Sequence, residues 1–420
     1  MPKASGSNIK DVKNHNRSLI LKLICTNPPL SRSQLAIKTN LTKMTLSNII
    51  SELISSGIII ENKASADFES TSVGRRPILL DISGSSPCIC GMLIKRGLCQ
   101  VILSDLRGHV LDSISIKYDR INSADDLIRI LLDSYHQLCE RSTRKIIAIS
   151  ISSLGPVDTK KGIFLNPPDF FGLSNIAIVD IIEKSTKKPT FLINDANAGA
   201  LAEKIYGLGQ NVSNFVYLHI MNGIGAGVVL DNKLYEGNTG QSCEFGHTGI
   251  SFTGPKCSCG NTGCLDLYAN IEKMNEKANG LRYAYPNSVI FSRDHLTWSD
   301  YVNFAHQNDL LAIIVLDEFC NYVSHALTNM LNLLDINLVI VGYNCDTQGT
   351  FIEDALSSKI NKTVLYSNYN QIEVKRSSFM GDGPLIGSIA VVTDKIFNSS
   401  FNNYENSDSS LNSMLLEETK

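Results

Sequence analysis

The pattern of apolar and polar positions changes character near residue 83. Before it, apolar residues recur at helical spacing: "NRSLILKLI" sets Leu19, Ile20, Leu23 and Ile24 on one face of a helix. "SRSQLAIKT" opens with Ser31 and Gln34 at capping-box spacing, which predicts a second helix start, and "NL" turns the chain. In "TKMTLSNIISELISSG", Thr42 stands as N-cap, Leu46, Ile49, Ile50, Leu53 and Ile54 form an apolar stripe, and Gly57 falls where a helix stops. Three short helices joined in this way form a helix-turn-helix. "IIIE" and "PILLDI" are then short strand-type runs separated by a polar stretch ending "SVGRRP", so two strands with a basic tip form a wing.

From about residue 86 strand-like runs alternate with helical patterns. "CQVILSDLRGHVLDSISI" predicts paired strands around the Arg107-Gly108 turn, "DDLIRILLDSYHQLCE" an amphipathic helix, "KIIAISIS" a buried strand and "PTFLINDANAGALAEKIYG" a strand running into a helix. "NFVYLHI", "GAGVVLDNKLYEG", the long helical stretch "LLAIIVLDEFCNYVSHALTNMLNLLD" and "LVIVG" continue the alternation, which defines an α/β chain. The closing "FNNYENSDSSLNSMLLEETK" is polar and is expected to fray.

Composition narrows the class. The chain has 420 residues, 43% hydrophobic and 19% charged, with a formal net charge of -3, which fits two or three ordinary globular domains and names no charged partner. No basic segment leads into an apolar signal core and no run of eighteen apolar residues occurs, so neither export nor a membrane span is expected and the cytoplasm is the expected location. Eleven cysteines spread over such a chain point to free thiols or metal ligands rather than a disulfide framework.

Two stretches carry chemistry. The outward face of the third helix bears Thr42, Lys43, Thr45, Ser47 and Asn48, small or basic donors near a helix N-terminus that suit phosphate and base-edge contacts in a major groove, while Arg75 and Arg76 at the wing suit backbone or minor groove. Further on, "GHTGISFTGPKCSCGNTGC" supplies His247, Cys257, Cys259 and Cys264, one imidazole and three thiolates. A Cys₃His set is a closed tetrahedral zinc site with no open position for a catalytic water, which makes the expected Zn²⁺ structural.

The motifs "NDANAGALAE", "GIGAGVVLDNKLYEG", "GQSCEFGH" and "GPKCSCGNTGCLDLYA", in this order and spacing, resemble the ROK family of repressors, open reading frames and kinases. The winged helix ending in "GRRP" is similar to the repressor branch, and "GPKCSCGNTGC" to its xylose repressors. The resemblance implies a winged helix-turn-helix over 1–83 followed by a two-lobed, actin-like and sugar-kinase-like domain. Its small lobe is expected over 84–194, with a C-terminal helix near 385–398 returning to it, its large lobe over 195–384, and a flexible tail over 399–420. It also implies sugar binding between the lobes by Asn194, Asp195, Glu244, His247 and Asp266. Carboxylates accept from sugar hydroxyls, an amide donates and accepts, and a metallated histidine offers its second N–H. Asp195 also stands where a helix N-cap falls. The implied partners are operator DNA, a monosaccharide such as xylose or a glucose-like sugar, and a second copy in a homodimer, with tetramers open.

Two departures bear on function. Asp266 stands where the family usually has Glu, one methylene longer. On the phosphate side, where the kinases carry D-x-G-G-T, "GMLIKRG" puts Leu93 at the Asp position and Lys95-Arg96 at the glycines; Met221-Asn222 replaces Gly-Thr in the second hairpin, and "VGYN" replaces a Gly-rich loop. Phosphoryl transfer depends on positioned phosphates and Mg²⁺, so these changes predict a non-enzyme. A working ATP-dependent sugar kinase with a regulatory N-terminal domain is the alternative. A sensor that acts through protein partners without touching DNA is a third.

Overall fold

The computed structural model describes residues 9–63, 77–168, 170–345, 349–398 and 415. The N-terminal elements are α1 (Ile9–Thr26), β1 (Leu30–Ser31), α2 (Arg32–Thr39), α3 (Lys43–Ser55), β2 (Ile59–Lys63) and β3 (Ile78–Ile82). Ser31 is extended and forms the full capping box with Gln34. The turn into α3 passes through Asn40 at φ 54°, in the left-handed region, and Thr42 caps α3 by accepting from Thr45 N–H. Gly57, at φ 68°, reverses the chain into β2. Leu46, Ile49, Ile50 and Leu53 are buried, each removing apolar area worth about 1.5–3 kcal/mol. The wing is antiparallel, Ile59 opposite Ile82 and Lys63 opposite Ile78.

The buried face of α1 is rotated from the expected one. Arg17, Ser18, Ile20, Leu21, Ile24 and Cys25 are buried, whereas Leu19 and Leu23 are only partly so. This face meets a partner far away in sequence, the Ser18 hydroxyl donating to the Ile396 carbonyl at 2.7 Å. Arg17 and Lys13 on the same helix pair with Glu52 of α3 at 2.9 and 2.7 Å.

Next come β4 (Cys88–Lys95), β5 (Leu98–Ser104), β6 (Val110–Lys117), α4 (Ala124–Arg141), β7 (Ile146–Ser153), the hairpin β8 (Val157–Asp158) and β9 (Ile163–Phe164), α5 (Ile178–Thr186) and β10 (Thr190–Asn194). Their main sheet has the order β10-β7-β4-β5-β6. After it follow α6 (Asp195–Tyr206), β11 (Phe215–Ile220), β12 (Ile224–Leu230), β13 (Lys233–Leu234), α7 (Ile271–Gly280), α8 (Trp298–His306), α9 (Leu310–Leu334), β14 (Leu338–Gly342), α10 (Phe351–Thr363), β15 (Glu373–Arg376) and α11 (Gly383–Phe397). The second sheet runs β13-β12-β11-β14-β15. Both sheets therefore repeat one plan: a three-strand antiparallel meander, then two strands added beside its first strand, each after a helical connection.

The chain divides into two units, one of Met1–Ile151, Ala177–Phe191 and Ile389–Lys420 and one of Ser152–Ile176 and Leu192–Ser388. Within the first, the Arg107 turn between β5 and β6 reaches the winged helix. Its guanidinium donates to the Asn27 carbonyl, just past α1, at 2.9 Å and to Asp81 of β3 at 2.5 Å. In the second, α9 is long and apolar enough by length and composition to cross a membrane. Here it is a core helix, with Val315, Phe319, Val323, Leu327 and Leu331 buried against β11 and β14 residues such as Val216 and Val339. The tail expected from 399 lies outside the described residues except for Leu415, which is buried.

Candidate functional site

Four expected metal ligands meet in the second unit. The ligand atoms of His247, Cys257, Cys259 and Cys264 all lie within 4.8 Å of one another. His247 Nδ1 faces Cys257 Sγ at 3.6 Å, and the Sγ atoms of Cys259 and Cys264 are 3.6 Å apart. The backbone builds this from two nested turns. Ile250 N–H donates to Gly263 at 2.8 Å and Leu265 N–H to Thr248 at 2.9 Å, while the inner turn closes by Cys257 N–H to Asn261 at 2.8 Å. Gly263 is required: its φ is 65°, and a Cβ there would lie 1.8 Å from the Ser251 carbonyl oxygen.

The donor set fits a cation. Burial and the neighbouring thiols push Cys264 up to about 12. Burial acts the same way on Cys257, but hydrogen bonds from Cys259, first from its backbone, and from His247 hold that thiol down to about 7. A dication with borderline-soft preference accommodates three thiolates and an imidazole, the chemistry of a closed zinc centre.

The same turns carry two of the acids expected to bind sugar. Pairing of Thr248 with Leu265 sets the short 3₁₀ turn Phe245–His247 beside the 3₁₀ turn Leu265–Leu267, with Phe245 and Leu265 buried as anchors. Asp266 then lies against Gly246: a Cβ on that glycine would be 3.5 Å from the Asp266 Cβ, and one on Gly223 would be 2.8 Å from Asp266 Oδ1. Glu244 precedes the first turn and is open to water. Surrounding protein nevertheless raises its carboxyl above the ordinary value, with His247 pulling the other way.

Asn194 and Asp195 join β10 to α6, and the structure separates their roles. The cap is Asn194, whose backbone is extended, and its Oδ1 accepts from Ala196 and Asn197 N–H at 3.0 and 3.3 Å. Asp195 is the first helical residue rather than the cap, with Oδ1 accepting from Ala196 N–H at 2.8 Å. Since the cap consumes the amide oxygen, Nδ2 of Asn194 is the group left to donate, and it faces Gly155.

Sequence reasoning passes over Gly155, the residue on which two of these groups converge. A Cβ at this position would lie 2.8 Å from Asn194 Nδ2 and 3.4 Å from Glu244 Oε1. The available signal is the Gly-Pro pair one residue beyond a wholly buried strand.

At the phosphate-side positions, Leu93 is buried within β4 opposite Gln100, Lys95 and Arg96 lead into the turn at Gly97, and Met221-Asn222 occupies the β11–β12 turn. Tyr343 is buried, with its hydroxyl on Glu353 at 2.9 Å and Arg376 over its ring. On the helix-turn-helix, Lys43, Ser47 and Asn48 are exposed together on α3, whereas Thr42 and Thr45 are engaged with each other at 3.0 Å. Arg75 and Arg76 lie outside the described residues.

A winged helix-turn-helix joined to two sheets of repeated plan, with a metal-type cluster on the second, defines a class of regulator and sugar-kinase relatives. Comparison with known proteins agrees. The ROK family profile matches residues 98–395 and a winged helix-turn-helix DNA-binding profile matches residues 13–60. The chain belongs to the ROK family. It is 32% identical over 387 residues to the xylose repressor of Bacillus subtilis (strain 168), covering 91% of this chain and 96% of that one. The glucokinase of Thermotoga maritima is 26% identical over 279 residues, covering 66% of this chain and 87% of that one. A crystal structure of a ROK family transcriptional regulator, described as a homolog of the E. coli MLC protein, superimposes with TM-score 0.76 at 26% identity, over 97% of this chain and 100% of that one.

Proposed function

We propose that this chain is a sugar-responsive, DNA-binding repressor of carbohydrate-utilisation genes, acting in the cytoplasm as a dimer on a two-fold operator. Lys43, Ser47 and Asn48, with Thr42 and Thr45 shaping the helix end, read the operator, and Arg75 and Arg76 hold its backbone. Asn194, Asp195, Glu244, His247 and Asp266 take a monosaccharide, xylose or a glucose-like sugar. The observation that carries this reading is the convergence of the Asn194 amide and the Glu244 carboxylate on Gly155, in the unit whose Glu244 and Asp266 turns are tied to the Cys/His cluster. As a glycine, residue 155 places no Cβ against either group.

Zn²⁺ held by His247, Cys257, Cys259 and Cys264 supplies rigidity rather than reactivity. With Nδ1 on the metal side, the opposite ring nitrogen of His247 remains for a sugar oxygen. Names of full-length relatives support repression, and that of the xylose repressor supports a pentose effector.

The kinase alternative draws on the likeness to a glucokinase. Against it stands Leu93, whose apolar side chain is buried where a Mg²⁺-directed carboxylate is needed. Fluorescence anisotropy on the DNA flanking its own gene, titrated with monosaccharides, tests the proposal: sequence-specific binding that one sugar shifts about a hundredfold is expected, equivalent to about 2.7 kcal/mol of coupling. Steady phosphorylation of any aldose with Mg-ATP overturns it in favour of the kinase. Sugar binding without sequence-specific DNA binding favours the partner-mediated sensor.

A further inference from the structure

On the helix proposed to read DNA, one strongly exposed side chain is apolar. Met44 is 77% exposed at the second position of α3. The inward stripe of that helix is Leu46, Ile49, Ile50 and Leu53, so Met44 contributes nothing to the core that holds α3 in place. Its neighbours one turn on, Ser47 and Asn48, are exposed and polar, and Lys43 precedes it. Side chains of a helix lean toward its N-terminus, so the thioether covers the first turn, the end that a helix-turn-helix inserts into the major groove. Ile37, the other exposed aliphatic of the motif, lies on the last turn of α2, and in this motif the first helix crosses the backbone rather than entering the groove.

Within the major groove the only apolar feature of a base-pair edge is the C5-methyl of thymine. An unbranched, polarizable methionine adapts its shape to such a methyl without demanding hydrogen-bond geometry. Resting on the DNA-binding function proposed above, we infer that Met44 is a specificity-determining residue that selects thymine at one position of each half-site by contact with its methyl group. Lys43, Ser47 and Asn48 supply the polar part of the same readout.

The test uses the full chain and an operator recovered by it from a random duplex pool, with every thymine replaced in turn by deoxyuridine, which deletes only the methyl. One symmetric pair of thymines is expected to matter, with affinity falling about three- to fivefold per half-site, the value of burying one methyl-sized group. Met44→Ala is expected to lose a similar factor on the thymine operator and to become indifferent to deoxyuridine at that pair alone. Met44→Gln is expected to move the preference there toward adenine. Because Met44 is exposed, thermal midpoints of both variants should match the parent. An operator whose affinity ignores every deoxyuridine, or a deoxyuridine effect that persists undiminished in Met44→Ala, overturns the inference while leaving DNA binding intact. Failure to recover any operator removes the DNA-binding function and the inference together, and is visible at the selection step.

Discussion

Replacing Arg107 with Ala should loosen the winged helix from the rest of its unit. The guanidinium holds two groups at once, the Asn27 carbonyl at 2.9 Å and Asp81 Oδ1 at 2.5 Å, and its side chain is 15% exposed against 32% for Asp81. The carbonyl lies just beyond the negative end of α1, where a cation is favoured. A charge-assisted hydrogen bond contributes about 1.5–3 kcal/mol. Water reaches Asp81 and recovers part of that loss, and Asp81 keeps the Ile82 N–H at 2.8 Å. Together the two contacts amount to about 2–3 kcal/mol. Calorimetry should record a lower first transition, and hydrogen exchange should accelerate in α1 and β3 before it does in β4. Arg107→Lys keeps the charge but cannot fork to both acceptors, so it should recover less than half. The decisive measurement is a double-mutant cycle with Asp81→Ala, for which about 1–2 kcal/mol of coupling is expected. Strict additivity of the two single changes would refute the bridge.

Three further outcomes are expected. Gly155→Ala, whose Cβ would intrude to 2.8 Å from Asn194 Nδ2, should weaken monosaccharide binding at least about tenfold by calorimetry; an unchanged affinity would remove Asn194 and Glu244 from the ligand site. Glu52→Gln should lower stability at pH 7 by about 1 kcal/mol after solvent screening. In the parent, burial opposes ionisation of Glu52, but Lys13 and Arg17 outweigh it and depress its pKa below 4.5; the stabilisation is therefore present above that value and disappears as pH falls through the depressed one. Unfolding midpoints of parent and variant should converge in acid, and a gap that stays constant down to pH 2 would contradict this. Zinc assays should give one ion per chain, and a chelator should abolish sugar binding. Retention of sugar binding in the metal-free chain would show that the Cys/His turns do not hold the acids in place.

Much of the helix-turn-helix was legible because its signals are local. Ser31 with Gln34, Thr42 with Thr45 N–H, and Gly57 at φ 68° each act within a few residues, and each appears as the sequence predicts. The strand after Arg107-Gly108, the all-buried β7 and the long α9 were likewise written in periodicity. Periodicity is weaker where partners are distant in sequence: the buried face of α1 includes Ser18, whose hydroxyl meets the Ile396 carbonyl. Two adjacent residues of capping type, Asn194 and Asp195, cannot be ranked by propensity, since the choice depends on which backbone stays extended. Gly155 escaped because its role is a close approach to side chains 39 and 89 positions downstream, Asn194 and Glu244. The cysteine cluster was the opposite case, since ligand spacing announces a metal before any fold is known.

The link between Ser18 and Ile396 spans almost the whole chain, and the unit that contains the helix-turn-helix is assembled from both ends of it. A ribosome releases the N-terminal helices long before it makes α11, so an unfinished copy lacks part of the support for its own DNA-reading segment. A chain that terminated before Ile396 would thus carry a helix-turn-helix without this hydrogen bond, and its α1 should be less stable than in the finished chain.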